Sequence, residues 1–165
     1  MPLTGDAAVL DEIDTLIRRI AAAYWDGESN YAVGMSFLGE VGEQARVDSW
    51  QELGITDACR GHEGSNVEDW RWGFHGTEPF WGGTLSDDRV TLFHLDMFDK
   101  SFGAPVMTAE GDTLRAEANG EGGDFIKMEF EAVVCDDGMA DIYFPYRVRV
   151  ETRDTQYSGC ARRFR

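Results

Sequence analysis

Residues 70–81 read Trp-Arg-Trp-Gly-Phe-His-Gly-Thr-Glu-Pro-Phe-Trp. The first half alternates a bulky aromatic residue with a charged, small or imidazole side chain, which is typical of a strand with one buried face. Pro79 cannot donate to a central hydrogen-bond ladder, and it favours an extended conformation at Glu78. The stretch therefore predicts a strand that ends at a corner around residues 78 and 79.

The two-residue period continues along the rest of the chain. It recurs in residues 89–97, 113–118, 126–134 and 142–151. Turn-forming residues interrupt it at 82–83, 87–88, 111–112, 120–123 and 136–138. In the segment 89–97, the alternation groups Thr91, Phe93, Leu95 and Met97 on one face. One-sided strands with short connections predict a mainly β fold, an antiparallel meander that closes into a small barrel or half-barrel.

On the solvated face of two of these strands, opposite charges stand in matching positions. We expect Lys127, Glu129 and Glu131 to pair with Arg147 and Arg149 across neighbouring strands.

The first third of the chain has a different pattern. Residues 7–25 carry apolar side chains at three- and four-residue steps, which predicts an N-terminal amphipathic helix packed on the sheet. Asp6 is the expected N-cap and Gly27 the expected stop. Within residues 26–69, the segment 31–38 favours a strand. The segment 48–54 resembles a short helical turn that ends in glycine.

Composition limits the classes of function. A chain of 165 residues with 42% hydrophobic and 12% aromatic residues is expected to be one globular domain over residues 1–165, with the barrel-like core in residues 70–161. Its net charge of −16 disfavours binding to nucleic acid. No apolar run is long enough to predict insertion into a membrane. Residues 147–165 hold six arginines against two acids, so this end is basic.

The aromatic residues near the corner have two interpretations. They either line a concave ligand site or fill the barrel interior; the set is Trp70, Trp72, Phe74, Phe80 and Trp81. Glu78 either caps backbone donors at the corner or faces a pocket. If it faces a pocket, His75 is the nearest candidate for an acid–base partner.

A second candidate segment is the acidic turn between the two clearest strands. Asp136, Asp137 and Asp141 supply carboxylates that could hold a cation, but their spacing is not that of a calcium-binding loop. An ordinary hairpin turn, with a bond from Asp136 or Asp137 to the backbone, is the simpler interpretation. These three acids, with Trp72, Glu78, Phe80 and Trp81, are the candidate ligand-binding residues.

No cofactor or metal is expected. Cys59 and His62 lie three residues apart, but with His75 and His94 they match no standard zinc spacing. A Cys-His nucleophile pair such as Cys59 with His75 remains an alternative, and so weak a pattern arises easily by chance. Phosphate-loop, dinucleotide and nucleophile-elbow motifs are not found in the sequence.

The cysteines leave the compartment open. The chain has three, Cys59, Cys135 and Cys160, and the sequence begins without a recognisable signal peptide. An odd count in such a chain favours a reduced, cytoplasmic protein if Met1 is the native start. One bridge with one free thiol is the alternative, and Cys135 and Cys160 are then either bridged or buried.

Three segments in order resemble a family of small bacterial envelope proteins, often lipoproteins. They are residues 76–81 (Gly-Thr-Glu-Pro-Phe-Trp), 135–141 (Cys-Asp-Asp-Gly-Met-Ala-Asp) and 157–161 (Tyr-Ser-Gly-Cys-Ala). The family is similar in plan to the β-barrel lysozyme inhibitors of the envelope. The resemblance implies a barrel-like domain, a periplasmic or envelope location and a bridge between Cys135 and Cys160. It implies no catalytic residue, and Ala140 stands where the family usually has serine.

Three functional hypotheses follow. The first is a non-enzymatic binding or inhibitor-like module, with a protein or small-molecule ligand at the rim formed by residues 78–81 and 136–141. The second is a small hydrolase or lyase that uses Glu78 and His75 as acid and base at the aromatic pocket. The third is a structural accessory domain that contacts a partner through its arginine-rich C-terminus.

Overall fold

The computed structural model describes residues 2–24, 33–55, 70–94, 98–138 and 142–164. Contacts divide the chain into two compact units, one of residues 1–64 with 140–143 and the other of residues 65–139 with 144–165. Each unit is described by itself below. The expectation that residues 1–165 form one domain stays a prediction.

The first unit begins with the expected helix. Helix α1 covers Ala7–Tyr24, and the Asp6 carboxylate accepts hydrogen bonds from the backbone N–H groups of Ala8 (2.9 Å) and Val9 (3.4 Å). These two bonds satisfy donors that the first helical turn leaves open, so the Asp6 cap is confirmed. One stripe of the helix is buried through Ile13, Leu16 and Ile20. The predicted stop at Gly27 lies outside the described residues.

The helix packs on a small sheet of the same unit. The strands are β1 (Leu3–Gly5), β2 (Val33–Val41), β3 (Ala45–Ile55) and, later in the chain, β12 (Ile142–Phe144). Strand β3 is central: β1 pairs with it in parallel, and β2 pairs with it antiparallel. Residues 142 and 143 also pair with it antiparallel. The indole N–H of Trp50 in β3 donates to the Glu12 carboxylate at 2.7 Å, which ties α1 to the sheet.

The predicted helical turn at 48–54 is wrong, because these residues belong to β3. The register between β2 and β3 shifts twice. Each bulge inserts an extra residue and offsets the alternation. From Val47 onward, the buried apolar side chains of β3 are therefore Val47, Trp50 and Leu53, a three-residue spacing that imitates a helix. The predicted strand at 31–38 is confirmed from Val33 onward, where the described residues begin.

The second unit is a nine-stranded antiparallel sheet that curls into a half-barrel, as the alternation predicts. The strands are β4 (Trp70–Thr77), β5 (Phe80–Ser86), β6 (Val90–His94), β7 (Phe98–Phe102), β8 (Val106–Glu110), β9 (Thr113–Asn119), β10 (Phe125–Glu131), β13 (Tyr146–Thr152) and β14 (Gln156–Arg163). Their order in the sheet is β7-β6-β5-β4-β14-β13-β10-β9-β8. Two runs of hairpins meet where β14 pairs with β4. A short β11 (Cys135–Asp136) precedes the acidic turn.

Alternation separates the two faces of this sheet as expected. The inner face is a continuous apolar core that includes Trp72, Phe74, Trp81, Leu85, Val90, Leu92, Phe102, Ile126, Met128, Phe130, Val148 and Val150. On the outer face, Arg147 lies 3.8 Å from Glu131, and Arg149 lies 3.8 Å from Glu129. The expected pairing of Glu129 and Glu131 with the two arginines across β10 and β13 is therefore confirmed, whereas the pairing of Lys127 with them is wrong, because Lys127 stands opposite Glu151.

Two local expectations are wrong. Residues 82 and 83 are not a turn but lie inside β5, where both glycines are needed to admit aromatic rings. A side chain on Gly83 would overlap the ring of Phe74, and one on Gly82 would overlap the ring of Phe93. In β6, Val90 and Leu92 face the core, whereas Phe93 is 48% exposed on the other face. Thr91 and Phe93 thus share one face as expected, but the interpretation of this face as the buried one is wrong; Leu95 and Met97 lie outside the described residues.

Candidate functional site at the β4–β5 corner

The corner is a two-residue turn between β4 and β5. Thr77 and Phe80 face each other as the last residue pair of the hairpin, and Glu78 and Pro79 form its tip with a cis peptide bond between them. A cis proline at this turn position is a recognised way to connect strands. The corner that Pro79 predicts from the sequence is confirmed. Glu78 itself is exposed.

Behind the corner, the Trp81 indole is fixed between two glycines. Its side chain is 3% exposed, and its ring lies 5.0 Å from that of Tyr157. A Cβ atom on Gly76 would overlap the indole nitrogen, and one on Gly159 would overlap the backbone carbonyl of His75 and stand 3.0 Å from the indole. Glycine is thus required at 76 and 159 because the ring and the backbone occupy the space of a side chain.

The acidic turn is attached to the outer side of the same corner. The Thr77 hydroxyl donates to the backbone carbonyl of Asp137 at 2.9 Å, and His75 Nε2 lies 3.2 Å from Asp137 Oδ2. The Asp136 carboxylate accepts the Gly138 N–H at 2.8 Å, which closes the turn in the predicted side-chain-to-backbone manner. The two segments, 60 residues apart in the chain at Thr77 and Asp137, therefore form one structure.

A disulfide completes this attachment. Cys135 and Cys160 are bridged, with their Cα atoms 5.5 Å apart. Cys160 pairs with His75 in the β4–β14 register, so the bridge joins the acidic turn to the strand beside the corner. The bridge that the resemblance implies is present in the structure.

A surface cleft of about 470 Å³ opens between these parts, and we call it the corner cleft. Its walls come from the β4 end, the acidic turn and β14; they are Gly76, Thr77, Glu78, Cys135, Asp136, Asp137, Gly138, Arg147, Ser158, Gly159 and Cys160. Three carboxylates therefore face one guanidinium. This excess of negative charge favours a ligand with a cationic group, because the three carboxylates attract it and Arg147 neutralises them only in part.

The predicted ligand-binding residues separate into two groups. Glu78, Asp136 and Asp137 line the corner cleft, and Phe80 is 46% exposed beside the corner. Trp72 and Trp81 are 5% and 3% exposed and belong to the core. Trp72 packs on Phe130 and Tyr146 with ring centroids 4.6 and 4.7 Å away. Asp141 lies outside the described residues.

The two residues of the acid–base hypothesis lie in different surroundings. His75 contacts Asp137, and its ring stands edge-on to Phe144 at 4.7 Å. Glu78 is exposed at the tip of the corner. Among the described residues, no cluster of three His, Cys, Asp or Glu side chains could hold a metal ion. Cys59 and His62, the other candidate ligands, lie outside the described residues.

Several contributors to the site were not identified from the sequence. Thr77 acts through Asp137, 60 residues along the chain, which no local pattern reveals. Arg147 was expected only as a partner of the β10 acids and not as part of a cleft. Phe93 is different, because a signal existed: Gly82 is its cross-strand neighbour, and a ring commonly covers a bare glycine in a paired strand. Together, Phe80 and Phe93 place two exposed rings on the outer face near the corner.

Within the described chain, no helix is long and apolar enough to cross a membrane. Comparison of the sequence and the structure with protein-family models, curated proteins and solved structures finds no match.

Proposed function

We propose that this protein is a non-enzymatic binding module of the inhibitor-like kind, and that a basic protein partner contacts the corner cleft. The observation that carries the proposal is the joining of Glu78, Asp136 and Asp137 in one cleft by the bridge and the Thr77 and His75 contacts. Carboxylates held in a fixed arrangement lose little conformational freedom on binding, so they suit recognition.

Charge and exposed aromatic rings support the same conclusion. The chain carries a net charge of −16, which attracts a basic partner and accelerates its association. Phe80 and Phe93 expose 46% and 48% of their surface near the acidic cleft. Large aromatic residues beside a polar rim are typical of the residues that dominate binding energy at protein interfaces.

The proposal includes an oxidising compartment, the periplasm or the cell envelope. The Cys135–Cys160 bridge supports this location, because such bridges persist mainly outside the reducing cytoplasm. Intact mass of the protein, isolated from its own cells with thiols alkylated at lysis, tests it. Two alkylated thiols at these positions would contradict the exported location.

The test of binding uses a c-type lysozyme as the basic partner, and a basic protein without a substrate cleft, cytochrome c, as the comparison. Calorimetric titration at physiological salt is expected to detect binding to lysozyme. A separate assay of cell-wall hydrolysis is expected to show that the bound lysozyme is inhibited. The double substitution Glu78→Gln with Asp136→Asn removes two cleft charges and is expected to weaken binding about tenfold.

The matched control removes two charges elsewhere. Asp112 and Glu121 are exposed acids in other turns of the same sheet, so Asp112→Asn with Glu121→Gln removes the same number of negative charges. We expect less than a twofold change. An equal loss in both double variants, equal binding of cytochrome c, or no binding of lysozyme would contradict the proposal. So would a hydrolytic activity of the protein itself that Glu78→Gln or His75→Ala abolishes.

The accessory-domain hypothesis receives less support. Arg147 and Arg149 are already engaged with Glu131 and Glu129 on the sheet. Arg162 lies over the Phe164 ring at 5.0 Å, and its burial lowers the pKa of its guanidinium to about 10. These arginines are therefore part of the fold and are less available to an acidic partner.

A further inference from the structure

We propose that the outer face of the half-barrel binds the guanidinium group of an arginine side chain at Phe93 of β6 and Asp99 of β7. This site, called the arginine anchor, is separate from the corner cleft, because neither residue lines that cleft. The anchor identifies the kind of residue through which a basic partner is held, so its role in a complex rests on the proposed function. Its capacity to bind a guanidinium group does not, and can be measured without the partner.

The Phe93 ring lies along the surface of the sheet instead of pointing away from it. Phe93 is the direct cross-strand neighbour of Gly82. A Cβ atom on Gly82 would stand 2.6 Å from Cζ, the far end of the Phe93 ring. The ring therefore extends from β6 across β5, in the space that a side chain on Gly82 would occupy. Because 48% of Phe93 stays exposed, much of the ring surface is available to a partner.

The same sheet already holds a guanidinium group on such a ring. The Phe164 ring lies over Gly73, with Cε2 2.8 Å from the position of a Cβ atom. The Arg162 guanidinium lies 5.0 Å from the centre of that ring, where the negative face of an aromatic ring attracts a cation. Among the described residues, no cation lies over Phe93. The ring that covers Gly82 therefore offers an incoming arginine the contact that Phe164 gives to Arg162.

A carboxylate stands on the other side of Phe93. Asp99 is the direct cross-strand neighbour of Phe93 in β7, so their Cβ atoms are about 5 Å apart on one face of the sheet. The Phe93 ring extends towards β5, away from β7, and leaves Asp99 exposed. In the part of the chain that the structure describes, no ion pair or hydrogen bond engages the Asp99 carboxylate. Asp99 can therefore accept hydrogen bonds from a partner.

A ring beside a carboxylate favours arginine over lysine. A guanidinium group is planar, so it can lie along a ring while it directs two parallel N–H groups at a carboxylate. A lysine ammonium group is a compact, strongly hydrated charge that lacks this geometry. The exposed hydroxyl of Ser101, two residues along β7 from Asp99, can accept a further N–H group. The net charge of −16 attracts a basic chain that carries such an arginine.

The direct test compares N-acetyl-arginine amide with N-acetyl-lysine amide, two probes of equal charge. Both are titrated into the full chain, and the backbone amide signals of residues 91–93 and 99–101 are followed by NMR. The arginine probe is expected to shift these signals and to bind about threefold more tightly than the lysine probe. Asp99→Asn and Phe93→Leu are each expected to weaken the arginine probe about threefold, as for one exposed ion pair or one exposed cation–π contact.

Three control variants separate the anchor from general effects. Phe93→Tyr keeps an aromatic ring and is expected to bind the arginine probe as the natural protein does. Asp112→Asn removes an exposed acid in the β8–β9 turn and should change the affinity less than about twofold. Glu78→Gln with Asp136→Asn should leave the shifts in residues 91–93 and 99–101 unchanged. Equal affinity for the two probes, unshifted signals, or equal losses in Asp99→Asn and Asp112→Asn would overturn the proposal.

Titration of lysozyme separates the anchor from the proposed function. Asp99→Asn is expected to weaken lysozyme binding about threefold relative to Asp112→Asn. Lysozyme binding that both substitutions weaken equally would overturn the anchor's role in the complex and leave the proposed function standing. Arginine-selective shifts without any binding of lysozyme would support the anchor and contradict the proposed function alone.

Discussion

The corner cleft and a second cleft at the end of the half-barrel, called the mouth cleft, belong to the same sheet but are built in opposite ways. At the corner, a bridge, a hydroxyl bond and a His–Asp contact fasten a turn onto the outer face, beside charged groups. At the mouth, inner-face residues such as Trp72, Leu85 and Leu114 line a cleft beside β8, a strand whose residues are all exposed. The first is a surface added to a finished sheet, whereas the second is a gap that incomplete curling leaves. The corner cleft should therefore change when its attachments are removed, whereas the mouth cleft should change when a side chain fills it.

The largest effect should come from the side chain that supports the corner from inside. Replacing Trp81 by alanine is expected to cost about 4 kcal/mol of unfolding free energy, because it empties the space between Gly76 and Gly159. Its neighbour Phe80 is 46% exposed, so Phe80→Ala is expected to cost less than about 1 kcal/mol. Urea denaturation of both variants measures the difference. Similar losses would mean that the corner does not depend on the interior indole.

The next effect concerns the bridge. Replacing Cys135 and Cys160 by alanine is expected to lower the unfolding free energy by about 3 kcal/mol, because the unfolded chain regains the freedom of a loop with a sequence separation of 25 residues. Hydrogen exchange should rise in residues 76–78 and 135–138 and stay unchanged in 71–73 and 106–109. The reduced natural protein should match the double variant, which itself should not respond to reductant. Equal acceleration at both clefts would remove the distinction between them.

The sequence predicted the corner much better than it predicted the mouth. Pro79 and the alternation of residues 70–75 predict a strand followed by a corner. Both features depend only on residues that are neighbours in the chain. The resemblance supplied the bridge between Cys135 and Cys160. The Thr77–Asp137 bond could not be predicted, because it depends on how β14 brings distant segments together. The mouth cleft depends on the curl of nine strands, which no single strand encodes.

Strand β3 shows a different limit. Its two register shifts space the buried apolar residues Val47, Trp50 and Leu53 by three. A period-two rule therefore fails where bulges occur, although the strand itself is ordinary. Phe93 shows the reverse case. Its apolar character suggested a buried face, but its ring covers Gly82 on the outside of the sheet.

The smallest effect concerns the ion pair that helps to hold the two ends of the sheet together. Lys100 Nζ in β7 lies 2.8 Å from Asp124 Oδ2, just before β10. The hydrogen bond from Lys100 lowers the pKa of Asp124 against the opposing effect of partial burial, and a bond from the Phe125 N–H lowers it further. The same hydrogen bond raises the pKa of Lys100.

The sign of the pH dependence follows from these directions. Because the folded-state pKa of Asp124 is depressed, its contribution to stability is complete above the ordinary carboxyl value of 3.8 and is lost as the pH falls through the lower, folded value. The raised pKa of Lys100 makes its contribution complete below 10.5 and lost above the folded value. The pair is partly exposed, so the change should be below about 1 kcal/mol.

Urea denaturation of the natural protein and of Asp124→Asn between pH 6 and pH 2 measures this contribution. The difference in unfolding free energy between the two proteins should shrink towards pH 2, whereas Asp112→Asn, an exposed acid in the β8–β9 turn, should track the natural protein throughout. At neutral pH, Asp124→Asn should accelerate hydrogen exchange in residues 98–102 and leave residues 76–81 unchanged, because the bridge and not this ion pair holds the corner. Faster exchange at the corner would mean that closure of the sheet ends and attachment of the acidic turn are one cooperative event, so that the two clefts could not be altered independently.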